Sequence, residues 1–192
     1  MITALILAAG QSKRMGQPKM LLPWGERTVL EQVIATFKAA GVDDVLVVTG
    51  GAKEQVETLI RDAARTVFNP DYVKGEMLSS VQVGLAGVKL GAEAVLIGLG
   101  DQPQVQERSV RLVLNEYHKR GASIVVPSFQ MQRGHPWLVA CTYWDEILDM
   151  QSPASLRDFL NRHQDEIRYV VCDNNSILQD MDTPEDYLKS RP

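Results

Sequence analysis

The sequence predicts an α/β protein built on an open, mostly parallel sheet with helices on both sides, and three observations point there. Short continuous apolar runs recur along the chain, the mark of strands covered on both faces. Amphipathic stretches of helical period separate them, and glycine closes two of these. A βαβα alternation of this kind is met by parallel strands joined through crossover helices.

Taken in order, the strands are "ITALILAA" (2–9), "DVLVVTG" (44–50), "EAVLIGLGD" (93–101), "ASIVVPS" (122–128), "PWLVACT" (136–142) and "EIRYVVCD" (166–173). Between the first two, residues 28–40 place Val29, Val33, Ile34 and Phe37 on one face and end at Gly41. Helices are expected again over 53–64 and over 105–120, the latter ending at Gly121. Shorter helices are expected over 143–150, 154–162 and 184–189; at the last, Thr183, Pro184 and Asp186 supply a cap, an N1 proline and a first-turn acid. No internal repeat or Pro/Gly/Ser linker interrupts the chain, so residues 1–192 are expected to form one domain.

With 192 residues the chain can bury about 70% of its unfolded surface without staples. Cys141 and Cys172 share no CxxC pattern and are expected to be reduced thiols. A net charge of −4 argues against a nucleic-acid partner. The apolar run 2–9 is too short to span a membrane and no basic region precedes it, so no membrane association and a cytoplasmic location are expected.

Ligands of open α/β sheets sit outside the carboxyl ends of the strands. The loop after residue 9 falls there and carries Gly10, Lys13, Arg14, Gly16 and Lys19. Its glycine spacing fits neither G-x-G-x-x-G nor Walker A. Exposed backbone N–H groups with nearby cations make an anion cradle, although a solvated basic turn has the same composition. Asp101 in "LGDQP" either turns its carboxylate to that edge or caps the next helix. Beside a phosphate loop it acquires a purpose, since Mg²⁺ takes one or two carboxylates plus phosphate oxygens. Asp180 and Asp182 of "DMDTPEDY" share a face if extended, and Asp182 is a second candidate ligand. His118 and His163 fall in charged helical patterns and read as solvated. His135 in "QRGHPWLV" either contacts a polar substrate or is structural. No Ser/His/Asp or Cys/His grouping suggests nucleophilic hydrolysis.

The stretch "LAAGQSKRMGQPKMLLPWGERTVLEQVI" resembles the N-terminal motif of the molybdopterin nucleotidyltransferases, the MobA-like NTP transferase family. The similarity continues through "VLVVTG", "NPDYVKGEMLSSVQVGL", "LGDQPQV", "RGHPWLV" and "DMDTPEDY", and looks most like the molybdenum cofactor cytidylyltransferase branch. That resemblance implies a single-domain Rossmann-like nucleotidyltransferase fold. It implies Mg²⁺-dependent transfer of a nucleotide, CMP from CTP, to the phosphate of molybdopterin or molybdenum cofactor, with release of pyrophosphate. A molybdenum hydroxylase is the implied recipient of the product. Carried over, Leu7, Ala8, Ala9 and Gly10 would line the nucleotide, and Arg14 and Lys19 would grip its triphosphate. Asp101 would join these two in catalysis and bind metal with Asp182, Ser79 and Ser80 would approach the base, and Arg133, Gly134 and His135 would face the acceptor. Ala9 stands where guanylyl-transferring relatives carry glycine, whereas Gly75-Glu76-Met77 departs from the expected Gly-Gln. The acceptor's phosphate is already ionised at pH 7, so the chemistry needs positioning and charge neutralisation rather than a protein base. The alternatives are a guanylyl or sugar-phosphate nucleotidyltransferase, a non-catalytic cofactor-binding chaperone, and an NAD-dependent dehydrogenase, the last weakened by the missing G-x-G-x-x-G.

Overall fold

The computed structural model describes residues 1–42, 44–74, 76–119 and 121–192. Gly75, and residue 120 at the end of the helix expected over 105–120, lie outside the described residues. From the N-terminus, β1 (Ile2–Ala8) leads through a loop and a 3₁₀ turn (Lys19–Leu21) to a small hairpin, β2 (Pro23–Trp24) and β3 (Arg27–Thr28). Then come α1 (Val29–Ala39), β4 (Asp44–Thr49), α2 (Lys53–Ile60), β5 (Arg65–Phe68) and α3 (Met77–Ala86). The chain continues with β6 (Ala94–Leu99), α4 (Glu107–His118), β7 (Ile124–Phe129), β8 (Gln132–Arg133) and β9 (Trp137–Ala140). It closes with α5 (Trp144–Asp149), α6 (Leu156–Arg162), β10 (Ile167–Val171) and α7 (Pro184–Ser190).

The main sheet runs β10-β7-β9-β6-β1-β4-β5, with β8 added to β7. β1 pairs in parallel with β4 on one side and β6 on the other. The chain therefore fills the sheet away from β1 in one direction, then returns to its other side. The carboxyl ends of β1 and β6 lie side by side where the strand order reverses, the place where open α/β sheets hold their ligands. Helices α1, α2 and α4 cover one face through Leu30, Phe37, Val56 and Val113. Helices α3, α5 and α6 cover the other through Val81, Ile147 and Phe159.

Local chemistry explains how these elements start and meet. Thr28 Oγ1 accepts from the Glu31 N–H while the Glu31 carboxylate accepts from the Thr28 N–H at 2.8 Å, a capping box that starts α1. At Gly98 in β6, a Cβ would stand 2.4 Å from Phe37 Cζ, so glycine leaves room for the tip of the α1 aromatic ring against the sheet.

Three features differ from the sequence expectations. Strand β5 and helix α3 occupy a region where no element was expected. β5 is a four-residue edge strand, and α3 carries Ser79, Ser80 and Gly84, which weaken its helical pattern. Helix α2 stops at Ile60 rather than 64, because Arg61 turns to φ 34° and begins a 3₁₀ turn. β9 runs antiparallel between β6 and β7, a direction its apolar run does not encode. Among the described residues no helix is long and apolar enough to cross a membrane.

Candidate active site

That edge of the sheet gathers residues from both ends of the chain. Lys19 enters from the 3₁₀ turn after the first loop, and Asp101 from the turn after β6. Asp101 does not cap α4, whose N-cap is Gln106. The C-terminal segment returns alongside, fixed at its far end by a Thr183–Asp186 capping box. Met181 is fully buried with Met15, Leu22 and Val29. With Met181 anchored in that cluster, the flanking Asp180 and Asp182 both reach the site's polar groups.

Lys19 is the hub. Its Nζ donates to Asp101 Oδ2 and, at 2.9 Å, to Asp182 Oδ1. The side chain is only 10% exposed. Burial alone would lower its pKa, but Asp101 and Asp182 outweigh that and raise it, so the ammonium stays charged. Asp182 Oδ2 also accepts from Arg14 Nη2 at 2.7 Å. Burial opposes its ionisation, yet Lys19 and Arg14 hold its pKa below the usual value. Gln102 Nε2 donates to Asp180 Oδ1 at 2.7 Å. Asp180 has a raised pKa, through burial first and then the neighbouring Asp101 and Asp182 charges.

Asp101 and Asp182 bond the same Nζ, so their carboxylates converge on one point. Two carboxylates plus waters and phosphate oxygens are the donor set a Mg²⁺-class ion takes. Among the described residues, no group of three His, Cys, Asp or Glu could hold a metal ion by itself. Around Lys19 and Arg14 the three carboxylates leave an excess of one negative charge.

Two cavities open side by side and share Glu76, Met77, Leu99 and Asp180. The smaller, about 270 Å³, is lined by Leu7, Ala9, Gly10, Lys19, Ser80 and Asp101. The larger, about 550 Å³, is lined by Arg133, Gly134 and His135 together with Gln102, Arg157 and Trp137. The structure thus brings most of the sequence-derived candidates to two adjoining chambers. Arg14 stands at the rim, its side chain 70% exposed. Ala8 packs into the core instead of lining the cavity. Ser79 and Ser80 both accept from the buried Asn69 Nδ2 at 3.0 Å, and Ser79 turns away from the smaller cavity.

On the far side, Arg133 donates to Tyr169 Oη at 2.8 Å and to Asn161 Oδ1 at 3.0 Å. Gly134 packs so closely on Ile177 that a Cβ would lie 2.5 Å from its carbonyl oxygen. His135 stacks on Trp137 at 4.5 Å between centroids, and burial pushes its pKa down to about 4. His163 is not solvated as the sequence suggested: its ring nitrogens meet Glu166 and Glu146, each at 2.7 Å.

Two residues join the site beyond those assigned to it from the sequence, Gln102 and Asp180. The signal for Asp180 was present, since it shares the alternation that singled out Asp182. Gln102 adjoins Asp101 in "LGDQP", but a glutamine carries no charge to draw attention.

A family model, the MobA-like NTP transferase domain, matches residues 4–167. The molybdenum cofactor cytidylyltransferase of Escherichia coli (strain K12) is 28% identical over 193 residues, spanning 99% of this chain and 95% of its own. The nicotine blue oxidoreductase of Paenarthrobacter nicotinovorans is 30% identical, with 96% and 93% covered. The crystal structure of Rv0371c from Mycobacterium tuberculosis H37Rv superposes with a TM-score of 0.86 at 28% identity, covering 98% of this chain and 96% of that one. A manganese complex of that protein superposes at 0.80.

Proposed function

The chain belongs to the MobA-like NTP transferase family, and from that premise we propose that it transfers CMP from CTP, with Mg²⁺, to the phosphate of molybdopterin, releasing pyrophosphate. The observation that carries this reading is the Lys19 ammonium held between Asp101 and Asp182 at the mouth of the Gly10 loop. It is a charge device suited to phosphates: an ammonium between two carboxylates, with the Arg14 guanidinium at the rim.

In this reading Lys19 holds the triphosphate and neutralises charge building on the departing pyrophosphate. Arg14, at the rim, guides the incoming anion and adds a second grip. Asp101 and Asp182 would hold the Mg²⁺, which when bound supplies charge neutralisation at the phosphate oxygens. The acceptor's phosphate, ionised at pH 7, attacks the α-phosphorus; the bond to the β-phosphate oxygen breaks, and pyrophosphate leaves. Ala9 and Ser80 line the smaller cavity, where the nucleotide is assigned, and Arg133 and His135 the larger, where the acceptor is assigned. The Escherichia coli relative supports this acceptor and base.

Pyrophosphate release with CTP, GTP, ATP and UTP, with and without molybdopterin and Mg²⁺, tests the reading. A redox role is favoured by one observation, the Paenarthrobacter relative named as an oxidoreductase. Oxidation of NADH or NADPH without pyrophosphate release would select it, and the chain lacks the G-x-G-x-x-G that dinucleotide binding employs.

A further inference from the structure

Two residues that line the larger cavity, Gln102 and His135, each carry a buried polar atom, Oε1 and Nε2, with no hydrogen-bond partner among the described residues. Gln102 is 3% exposed. Its amide is not free to turn, because Nε2 donates to Asp180 Oδ1 at 2.7 Å and a flipped amide would set oxygen against oxygen there. That leaves Oε1 as the acceptor of this cavity-lining side chain without a partner. His135 is fixed as firmly, its ring lying on Trp137 with 14° between planes and its backbone N–H donating to Ile177 O at 3.0 Å. Burial keeps this ring neutral at pH 7, so Nε2 carries or accepts one hydrogen bond according to its tautomer. Buried polar atoms are normally paired, and an amide held in this geometry without a partner is costly compared with an isosteric apolar side chain.

We propose that Gln102 reads the acceptor: Oε1 accepts a hydrogen bond from an N–H or O–H on the acceptor's edge while Nε2 holds Asp180, with His135 Nε2 as the second contact. This rests on the assignment of the larger cavity to the acceptor. Gln102 follows Asp101 directly, and Asp180 borders both chambers, so one side chain links acceptor seating to the carboxylate set around Lys19. A chamber built to receive a hydrogen bond rejects molecules that cannot supply it more strongly than an apolar chamber rejects a size mismatch. The ligand class is therefore a phosphate-bearing molecule that presents an N–H or O–H donor at this position, and molecules that offer only acceptor atoms there are disfavoured.

Gln102→Met and His135→Phe, with circular dichroism to confirm folding, test this in pyrophosphate release with CTP, Mg²⁺ and molybdopterin. Each is expected to raise KM for molybdopterin about tenfold or more while KM for CTP stays within about twofold. Calorimetric titration of molybdopterin without nucleotide is expected to show the same loss. Should Gln102→Met fail to fold, Gln102→Asn, which keeps an amide but withdraws it, takes its place. Unchanged molybdopterin affinity overturns the proposal, and so does an equal rise in both KM values, which would mark a purely structural role. If wild-type protein binds molybdopterin but releases no pyrophosphate, the transferase reading fails, and the titration still decides the role of Gln102. Absence of molybdopterin binding by wild-type protein overturns both.

Discussion

Lys19 Nζ lies 2.9 Å from Asp182 Oδ1, across 163 positions of sequence. The contact closes the site, because the C-terminal segment reaches the first loop only after the sheet is complete. It also places a positive charge between two carboxylates, so removing either side exposes unbalanced charge at one point.

Lys19→Ala and Asp101→Ala are each expected to cut turnover by at least about 10²-fold, the range of a lost electrostatic stabiliser. Single-turnover pyrophosphate release measures it. Near-normal rates in either variant would remove the residue from its assigned role.

Arg14→Ala is expected to be milder, about tenfold in kcat/KM and expressed mainly in KM for the nucleotide. Arg14 is largely exposed and pairs with one carboxylate only, so solvent and salt already screen it. A loss equal to that of Lys19→Ala would contradict this ranking.

Gly98→Ala is expected to destabilise the fold by about 1–3 kcal/mol, since the added methyl must displace the Phe37 ring. The urea midpoint should fall with little change in slope. A neutral result would mean that α1 can shift on the sheet.

His163 links α5, through Glu146, to the turn carrying Glu166, while Arg162 and Tyr143 pair with those same glutamates. Burial lowers its pKa, but Glu166 and Glu146 outweigh that and raise it. A raised pKa in the folded state gives stability that is full below the unfolded value of about 6.5 and lost as pH rises through the folded value. Urea midpoints of wild type and His163→Gln should therefore converge on the alkaline side and separate on the acid side. Parallel curves across that range would refute the linkage.

Asp44 shows the opposite sign. Burial opposes its ionisation, but hydrogen bonds from Arg65, Lys89 and Thr3 push its pKa far below the usual carboxylate range. Its stabilisation is present above an unfolded pKa of about 3.9 and is lost as pH falls toward the folded value. Asp44→Asn should flatten the acid limb of the stability curve, and an unchanged limb would contradict the assignment.

The chain announced its sheet through "ITALILAA", "DVLVVTG" and "EAVLIGLGD", because strands buried on both faces need continuous apolar runs. Helix α1 was equally legible, with Thr28 and Gly41 marking its ends. Strand direction was not legible at β9, since an apolar run reads the same for parallel and antiparallel neighbours. Helix α3 was hidden by its serines and Gly84, residues whose partners, Asn69 and Leu5, come from other elements. Within the site, charged residues in odd places gave themselves away, as Lys19, Asp101 and Asp182 did. Gln102 did not, because its significance is a missing partner, visible only once the chamber is closed around it.

Lys19, Asp101 and Asp182 are assigned here as a charge device for nucleotidyl transfer. Pyrophosphate release across CTP, GTP, ATP and UTP, with molybdopterin and with Mg²⁺ present or removed by chelation, tests it most directly. Release is expected to require both molybdopterin and the divalent cation and to be fastest with CTP. Absence of release with every nucleotide, or release unaffected by chelation, would contradict it.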